Sequence, residues 1–182
     1  MTAMGLVARF LPLAACLLTV AASVVAADAV TRRETSLSLR ACQPPARAVV
    51  RDYQRRGLGV VRCPAPRGFN LFFVSSDGNS WLDVGRGANI WSGQQAVVHR
   101  RGAGNLPNVT GSVLWLRDVR GWRGLVFAVA SRDVSDERRL AYFAVRTDPS
   151  RVCLLGSFDG RSEAEAAVSS QQRCVEEHGG AP

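Results

Sequence analysis

Apolar residues fall into short runs separated by polar, glycine-rich breaks along most of the chain, and that rhythm predicts strands. The runs are clearest over Ser112 to Val119, Leu125 to Ser131, Leu140 to Arg146 and Val152 to Phe158. The breaks between them, Arg120-Gly121-Trp122-Arg123-Gly124, Arg132 to Arg139 and Thr147 to Arg151, are short and polar. Consecutive strands with short links make an antiparallel meander. Nearer the start, Phe69 to Val74 and Trp81 to Val84 flank Ser76-Asp77-Gly78-Asn79. Asp-Gly between apolar runs predicts a hairpin. Ser36 to Arg40 alternates briefly, Leu58 to Cys63 and Ala96 to His99 read as strands, and residues 85–95 and 100–108 read as loops.

Helical spacing is rarer. A helical turn is expected around Val49 to Arg55, bounded by Pro44-Pro45 and Gly57. Ser162-Glu163-Ala164-Glu165 has the form of a capping box, with Ser162 as N-cap and Glu165 at the third helical position. Ala164, Ala167, Val168 and Gln171 then follow the helical period, and the helix is expected to reach about Cys174. The expected class is α+β, mainly β: an antiparallel meander sheet of six to eight strands with one C-terminal helix. Residues 30–174 read as one disulfide-stapled domain and 175–182 as a flexible tail.

The first 29 residues have a different character. Arg9 precedes eighteen residues, Phe10 to Ala27, that are nearly all apolar. Ala27-Asp28-Ala29 then offers a small-residue cleavage site, with Val25-Ala26-Ala27 as an alternative frame. A positive start, an apolar middle and small residues at the end describe a secretory signal peptide. Two other readings stay open. A retained membrane helix would need about twenty apolar residues. Leu13-Ala14-Ala15-Cys16 fits a lipoprotein signal, in which Cys16 would carry the lipid. After signal cleavage no transmembrane anchor is expected.

Export changes the reading of the cysteines. Cys42, Cys63, Cys153 and Cys174 remain after cleavage. An even number in an exported chain reads as a disulfide framework. Of the three connectivities open to four cysteines, Cys42–Cys63 and Cys153–Cys174 are favoured, each a local loop worth about 3 kcal/mol in the chain-entropy picture. A zinc site is disfavoured, because no Cys-x-x-Cys is present and the histidines are His99 and His178 alone. No cofactor and no metal are expected.

The net charge is +8, and all 23 basic residues are arginine. A GC-rich genome explains the missing lysines. The charge itself predicts salt-sensitive attraction to anionic surfaces. In a periplasmic or secreted protein the partner is expected to be an anionic envelope component or another exported protein, not nucleic acid.

A Ser-Leu-x-Leu-x-x-Cys opening at Ser36 to Cys42 is followed by Cys63-Pro64 to Gly68, a Trp-bearing strand at Trp115, and a Cys-bearing strand before a final helix and Cys174. This order resembles a group of small exported bacterial proteins with two disulfides. The resemblance covers about residues 34–174 and implies a disulfide-bonded periplasmic domain, without implying an activity.

Catalytic patterns are thin. His99 stands beside Arg100 and Arg101, and no Gly-x-Ser-x-Gly accompanies it. Asp77 and Asp83 lie on opposite arms of one hairpin, but Asp77 is claimed by the turn. Gly85-Arg86-Gly87-Ala88-Asn89 lacks the third glycine of a dinucleotide loop. Asn108-Val109-Thr110 fits a glycosylation sequon. Ser75, Ser76 and Ser80 are ordinary turn residues. No catalytic residue is expected.

Trp122 is expected at the tip of a hairpin link between Arg120 and Arg123, where tryptophan and arginine make frequent binding hot spots. The alternative folds its ring back over its own hairpin under the arginines. Trp91, in a glycine- and serine-rich stretch, carries the same ambiguity. Trp81 and Trp115 are expected in the core. The pairs Arg55-Arg56, Arg100-Arg101 and Arg138-Arg139 read as turn charges or as one basic face. The leading functional expectation is an exported, non-enzymatic binding module of the cell envelope. The alternatives are an inhibitor of a peptidoglycan hydrolase, and an enzyme using at least two of Asp83, Asp118, Asp133 and Asp159 in one pocket.

Overall fold

The computed structural model describes residues 30–87, 89–99, 105–132, 135, 137–149 and 151–175. The leader with Cys16, the pair Arg100-Arg101, Asp133 and His178 lie outside the described residues. The strands are β1 (Thr31–Ser36), β2 (Gly59–Cys63), β3 (Phe69–Ser76), β4 (Asn79–Arg86), β5 (Asn89–Ser92), β6 (Asn105–Asp118), β7 (Gly121–Arg132), β8 (Arg138–Asp148) and β9 (Arg151–Phe158). The helices are α1 (Arg47–Arg55), α2 (Gln94–Val97) and α3 (Arg161–Ser169).

The chain is mainly β with a C-terminal helix, as its patterning predicts, but the strands form two antiparallel sheets. One has the order β1-β6-β7-β8-β9 and the other β2-β3-β4-β5. One sheet of six to eight strands is thus corrected to nine strands in two sheets among the described residues. The reason lies in β3 and β4, where neighbouring residues such as Leu71, Phe72, Leu82 and Asp83 are all buried. A sheet buried on both faces needs a cover on each side.

On one side the four-stranded sheet turns Phe69, Leu71, Leu82, Val84 and Trp91 toward Val113, Trp115, Leu125, Phe127 and Phe143 of the five-stranded sheet. Phe69 meets Trp115 at 5.2 Å between ring centres, and Trp91 meets Phe127 at 6.4 Å. On the other side α1 lays Tyr53 over Phe72, 6.2 Å between rings. The far face of the five-stranded sheet receives α3, whose Ala164, Ala167 and Val168 pack on Leu114, Leu116, Val126, Ala144 and Leu155. The layers run helix, sheet, sheet, helix.

Both favoured disulfides form, Cys42–Cys63 and Cys153–Cys174. Bridges of this kind fit an oxidising, extracytoplasmic setting. Among the described residues no helix is long and apolar enough to cross a membrane.

Local expectations change in several places. Residues 89–92 and 105–108 are strand rather than loop, while the strand expected at Ala96 to His99 is the short helix α2. Of the Ser36 to Arg40 alternation only Ser36 is strand, as the last residue of β1, and the chain then bends and turns over Ser38 to Arg40. The capping box is absent: Gly160 is the N-cap of α3, no side chain caps it, and Glu165 instead binds Arg32 at 2.9 Å and Arg161 at 3.0 Å. The helix stops at Ser169 instead of reaching Cys174. The following segment runs beside β9, where the Gln172 side-chain amide donates to the Leu155 carbonyl and the Val175 N–H to the Leu154 carbonyl, both at 2.8 Å. Val175 is therefore tied to the sheet rather than part of a free tail.

Candidate functional site

Of the aromatic and arginine residues singled out as a binding tip, Trp91 lies in the core, whereas Trp122 and Arg123 are half-buried and Arg120 is exposed at the β6–β7 turn. The β6–β7 turn has two residues, Val119 and Arg120, and β7 already begins at Gly121. A register shift after Leu116 turns Trp122 inward, edge-on to Trp115 at 6.4 Å. The Arg117 guanidinium lies over its outer side at 5.8 Å. Arg123 is engaged with Asp118 at 3.4 Å and Asp148 at 3.7 Å. Arg120 is exposed at the turn, where its backbone N–H donates to Asp118 Oδ1. Trp91 is only 6% exposed. Gly121 and Gly124 look like loop breakers in the sequence, yet both are strand residues. A Cβ at Gly124 would strike the Val145 carbonyl and come within 2.8 Å of Val168 Cγ1, so this glycine lets α3 approach the sheet.

The other sequence candidates also have assigned places. Trp81 and Trp115 are buried. His99 is exposed just after α2. Arg86 reaches the Thr147 carbonyl and lies 5.1 Å over the Phe69 ring, tying the two sheets together. The Asn108 amide donates to the Gly78 carbonyl at 2.7 Å and the Leu106 carbonyl at 2.9 Å, and accepts from Ser80 Oγ at 3.0 Å. The sequon asparagine is thus a structural clamp between the two sheets. Asp77 sits in the hairpin turn with φ of 47°. Asp83, Asp118 and Asp159 lie apart: within the four-stranded sheet, at the β6–β7 turn, and exposed ahead of α3. Among the described residues no cluster of His, Cys, Asp and Glu could hold a metal.

Two features went unread in the sequence. The first is a buried polar triplet under α1. The Tyr53 hydroxyl donates to Asp83 Oδ2 at 2.5 Å, and Ser92 Oγ donates to Asp83 Oδ1 at 2.7 Å. Asp83 is 3% exposed. Burial pushes its carboxyl above the ordinary value, although the bonds from Tyr53 and Ser92 pull the other way. Burial, with the Asp83 charge adding to it, pushes the Tyr53 phenol up as well. A carboxylate enclosed this way orients α1 on the sheet.

The second feature is the outer face of α1. Tyr53, Val49 and Val50 face the protein, so the 3.6-residue period puts Arg47, Arg51 and Arg55 together on the solvent side. All three are exposed. Arg55 pairs with Asp52 at 3.0 Å, and Arg56 pairs with it at 3.6 Å while stacking 4.5 Å over Tyr53. Arg47 and Arg51 make no ion pair among the described residues. On β2, exposed Arg62 lies opposite Phe72, on the sheet face that α1 covers. The signal for this face was the four-residue spacing of the arginines.

Compared with protein-family models, with curated protein sequences and with solved structures, the chain matches none.

Proposed function

We propose that this protein is an exported, non-enzymatic module of the cell envelope, periplasmic or secreted, that binds an anionic envelope component through the outer face of α1. The observation that carries the reading is the stripe of Arg47, Arg51 and Arg55, with Arg62 on the same side of the sheet. Like charges four residues apart on a helix cost a few tenths of a kcal/mol per pair. Asp52 compensates only Arg55 and Arg56. An anionic polymer laid along the helix compensates the rest, and guanidinium groups suit phosphate and carboxylate equally well. The overall +8 charge acts in the same direction at longer range. The buried Tyr53–Asp83–Ser92 bonds support the reading by fixing the helix that presents the stripe.

The test is retention of the purified protein on envelope fractions at low and at high salt. Retention at low salt, lost at high salt, is expected. A variant with Arg47, Arg51 and Arg55 all changed to Gln should lose most of it while keeping the native circular dichroism spectrum. Failure of the unmodified protein to bind at low salt overturns the proposal.

A further inference from the structure

Strand β9 is the last strand of the five-stranded sheet, and the chain that follows α3 runs along its outer edge. A register shift leaves Leu155 without an opposite residue on β8, between the pairs Val145–Leu154 and Ala144–Gly156. The Leu154 and Leu155 carbonyls both receive donors from the covering segment, the Val175 N–H and the Gln172 side-chain amide, each at 2.8 Å. Arg146 donates to the Ser170 carbonyl at 2.8 Å. Natural sheets cover such edges because an open one pairs with other chains. Beyond these bonds and the Cys153–Cys174 bridge the cover lies open to solvent: Gln171, Gln172, Arg173 and Val175 are exposed, and Cys174 is half-buried while its partner Cys153 is buried. The other bridge is set differently. Cys42 and Cys63 are both buried in the main core with Leu37, Leu58 and Phe69. Their neighbours Gln43 and Arg62 exchange two backbone hydrogen bonds, at 2.8 and 2.7 Å.

From this asymmetry we infer that Cys153–Cys174 is a redox-sensitive latch on the β9 edge, opened by a dithiol while Cys42–Cys63 stays closed. One thiolate of the dithiol attacks the sulfur of Cys174, the more exposed residue of the pair, and the S–S bond breaks with its electron pair leaving on Cys153. The second thiol of the dithiol then displaces Cys174 from the mixed disulfide. The dithiol ends as a disulfide, and the two cysteines take up the two electrons and two protons as thiols. Exposed bridges are the ones that exchange readily, whereas the buried pair is reached only when the core opens. With the bridge cut, the bonds to Ser170, Gln172 and Val175 are too few to hold the segment, and it leaves the edge. The Leu154 and Leu155 carbonyls then stand bare, the kind of edge to which an extended segment of another chain adds. Helix α3 stays in place, because Ala164, Ala167 and Val168 pack on the sheet without help from the bridge. The latch acts on β9 and requires nothing of α1.

The experiment treats the oxidised protein with dithiothreitol in the absence of denaturant. Free thiols are alkylated at intervals, each cysteine is read by mass spectrometry, and hydrogen exchange is followed on the same samples. Cys153 and Cys174 are expected to be labelled about tenfold sooner than Cys42 and Cys63, or earlier still. In the protein with only that bridge reduced, the Val175 amide should exchange at the rate of a free chain, while the amides of α3, β7 and β8 keep their protection. Gln172→Ala, which removes one tie to the edge, should speed reduction of Cys153–Cys174 by about fivefold and leave that of Cys42–Cys63 unchanged. Equal rates at the two bridges, or reduction of Cys42–Cys63 first, would overturn the inference. So would reduction only on global unfolding, a Val175 amide still protected once the bridge is cut, loss of protection across α3 and the sheet, or a Gln172→Ala rate equal to that of the unmodified protein.

Discussion

Removal of the Tyr53 hydroxyl tests whether the buried Asp83 is what holds α1 in place. Tyr53→Phe keeps the ring against Phe72 and deletes the donor 2.5 Å from Asp83 Oδ2. A hydrogen bond to a charged partner is worth about 1.5–3 kcal/mol, and a neutral one about 0.5–1.5 kcal/mol. Asp83 is 3% exposed, so water cannot replace the lost donor without opening the helix. The loss should therefore be about 2–3 kcal/mol where Asp83 is ionised and about 1 kcal/mol where it is protonated. The pH dependence follows from the raised carboxyl. Its pKa in the folded protein lies above the ordinary 3.8. The native state then binds the proton more tightly than the unfolded chain does. The contribution of Asp83 to stability is fully present below the unfolded pKa and falls as pH rises through the folded one. Tyr53→Phe removes a bond that favours the charged form, so it should raise the folded pKa further and steepen the decline. Urea unfolding with intact disulfides, at pH 4 and at pH 7.5, measures both effects. A Tyr53→Phe loss of equal size at the two pH values, or one too small to measure at either, would refute the reasoning.

Other outcomes follow from the same geometry. Asp83→Asn keeps a Tyr53 acceptor but removes the titration, so its unfolding free energy should change less between pH 4 and 7.5 than that of the unmodified protein. Gly124→Ala should cost about 1–3 kcal/mol in urea unfolding, because its methyl meets the Val145 carbonyl and Val168. Asn108→Ala should cost about 1–3 kcal/mol by leaving the Gly78 and Leu106 carbonyls short of a donor. The unmodified chain, secreted from a glycosylating host, should show no added glycan mass at Asn108 by mass spectrometry. Cys153→Ser with Cys174→Ser should lower stability by about 3 kcal/mol, and hydrogen exchange at the Val175 amide should rise to the rate of a free chain.

The second half of the fold is legible in the sequence because its strands are neighbours in both chain and sheet. Strands β7, β8 and β9 are apolar runs joined by brief polar links, and nothing distant is needed to read them. The first strand escapes notice for the opposite reason. Its residues Thr31-Arg32-Arg33-Glu34 are polar and exposed, and its pairing partner is β6. The elements at 89–97 are too short for periodicity to speak, and their Asn, Ser, Gly and Gln content imitates a loop. Trp122 is misplaced because glycine is ambiguous: Gly124 is there to admit Val168, a reason visible only once α3 is docked. The triplet of Tyr53, Asp83 and Ser92 joins three elements with no local signature. The arginine stripe was visible as a spacing, but adjacent pairs such as Arg55-Arg56 draw the eye to turns instead. The two disulfides were legible because each joins cysteines at the same short separation.

The pairing of β1 with β6, where Thr31 lies opposite Arg117, sets a timetable for the molecule. Chains whose contacts are distant in sequence acquire their structure slowly. Neither the opening strand nor the closing helix, which grips it through Arg32 with Glu165 and Glu34 with Arg161, can settle before the middle of the polypeptide has arrived. A newly made molecule thus cannot close its five-stranded sheet until nearly all of it is available.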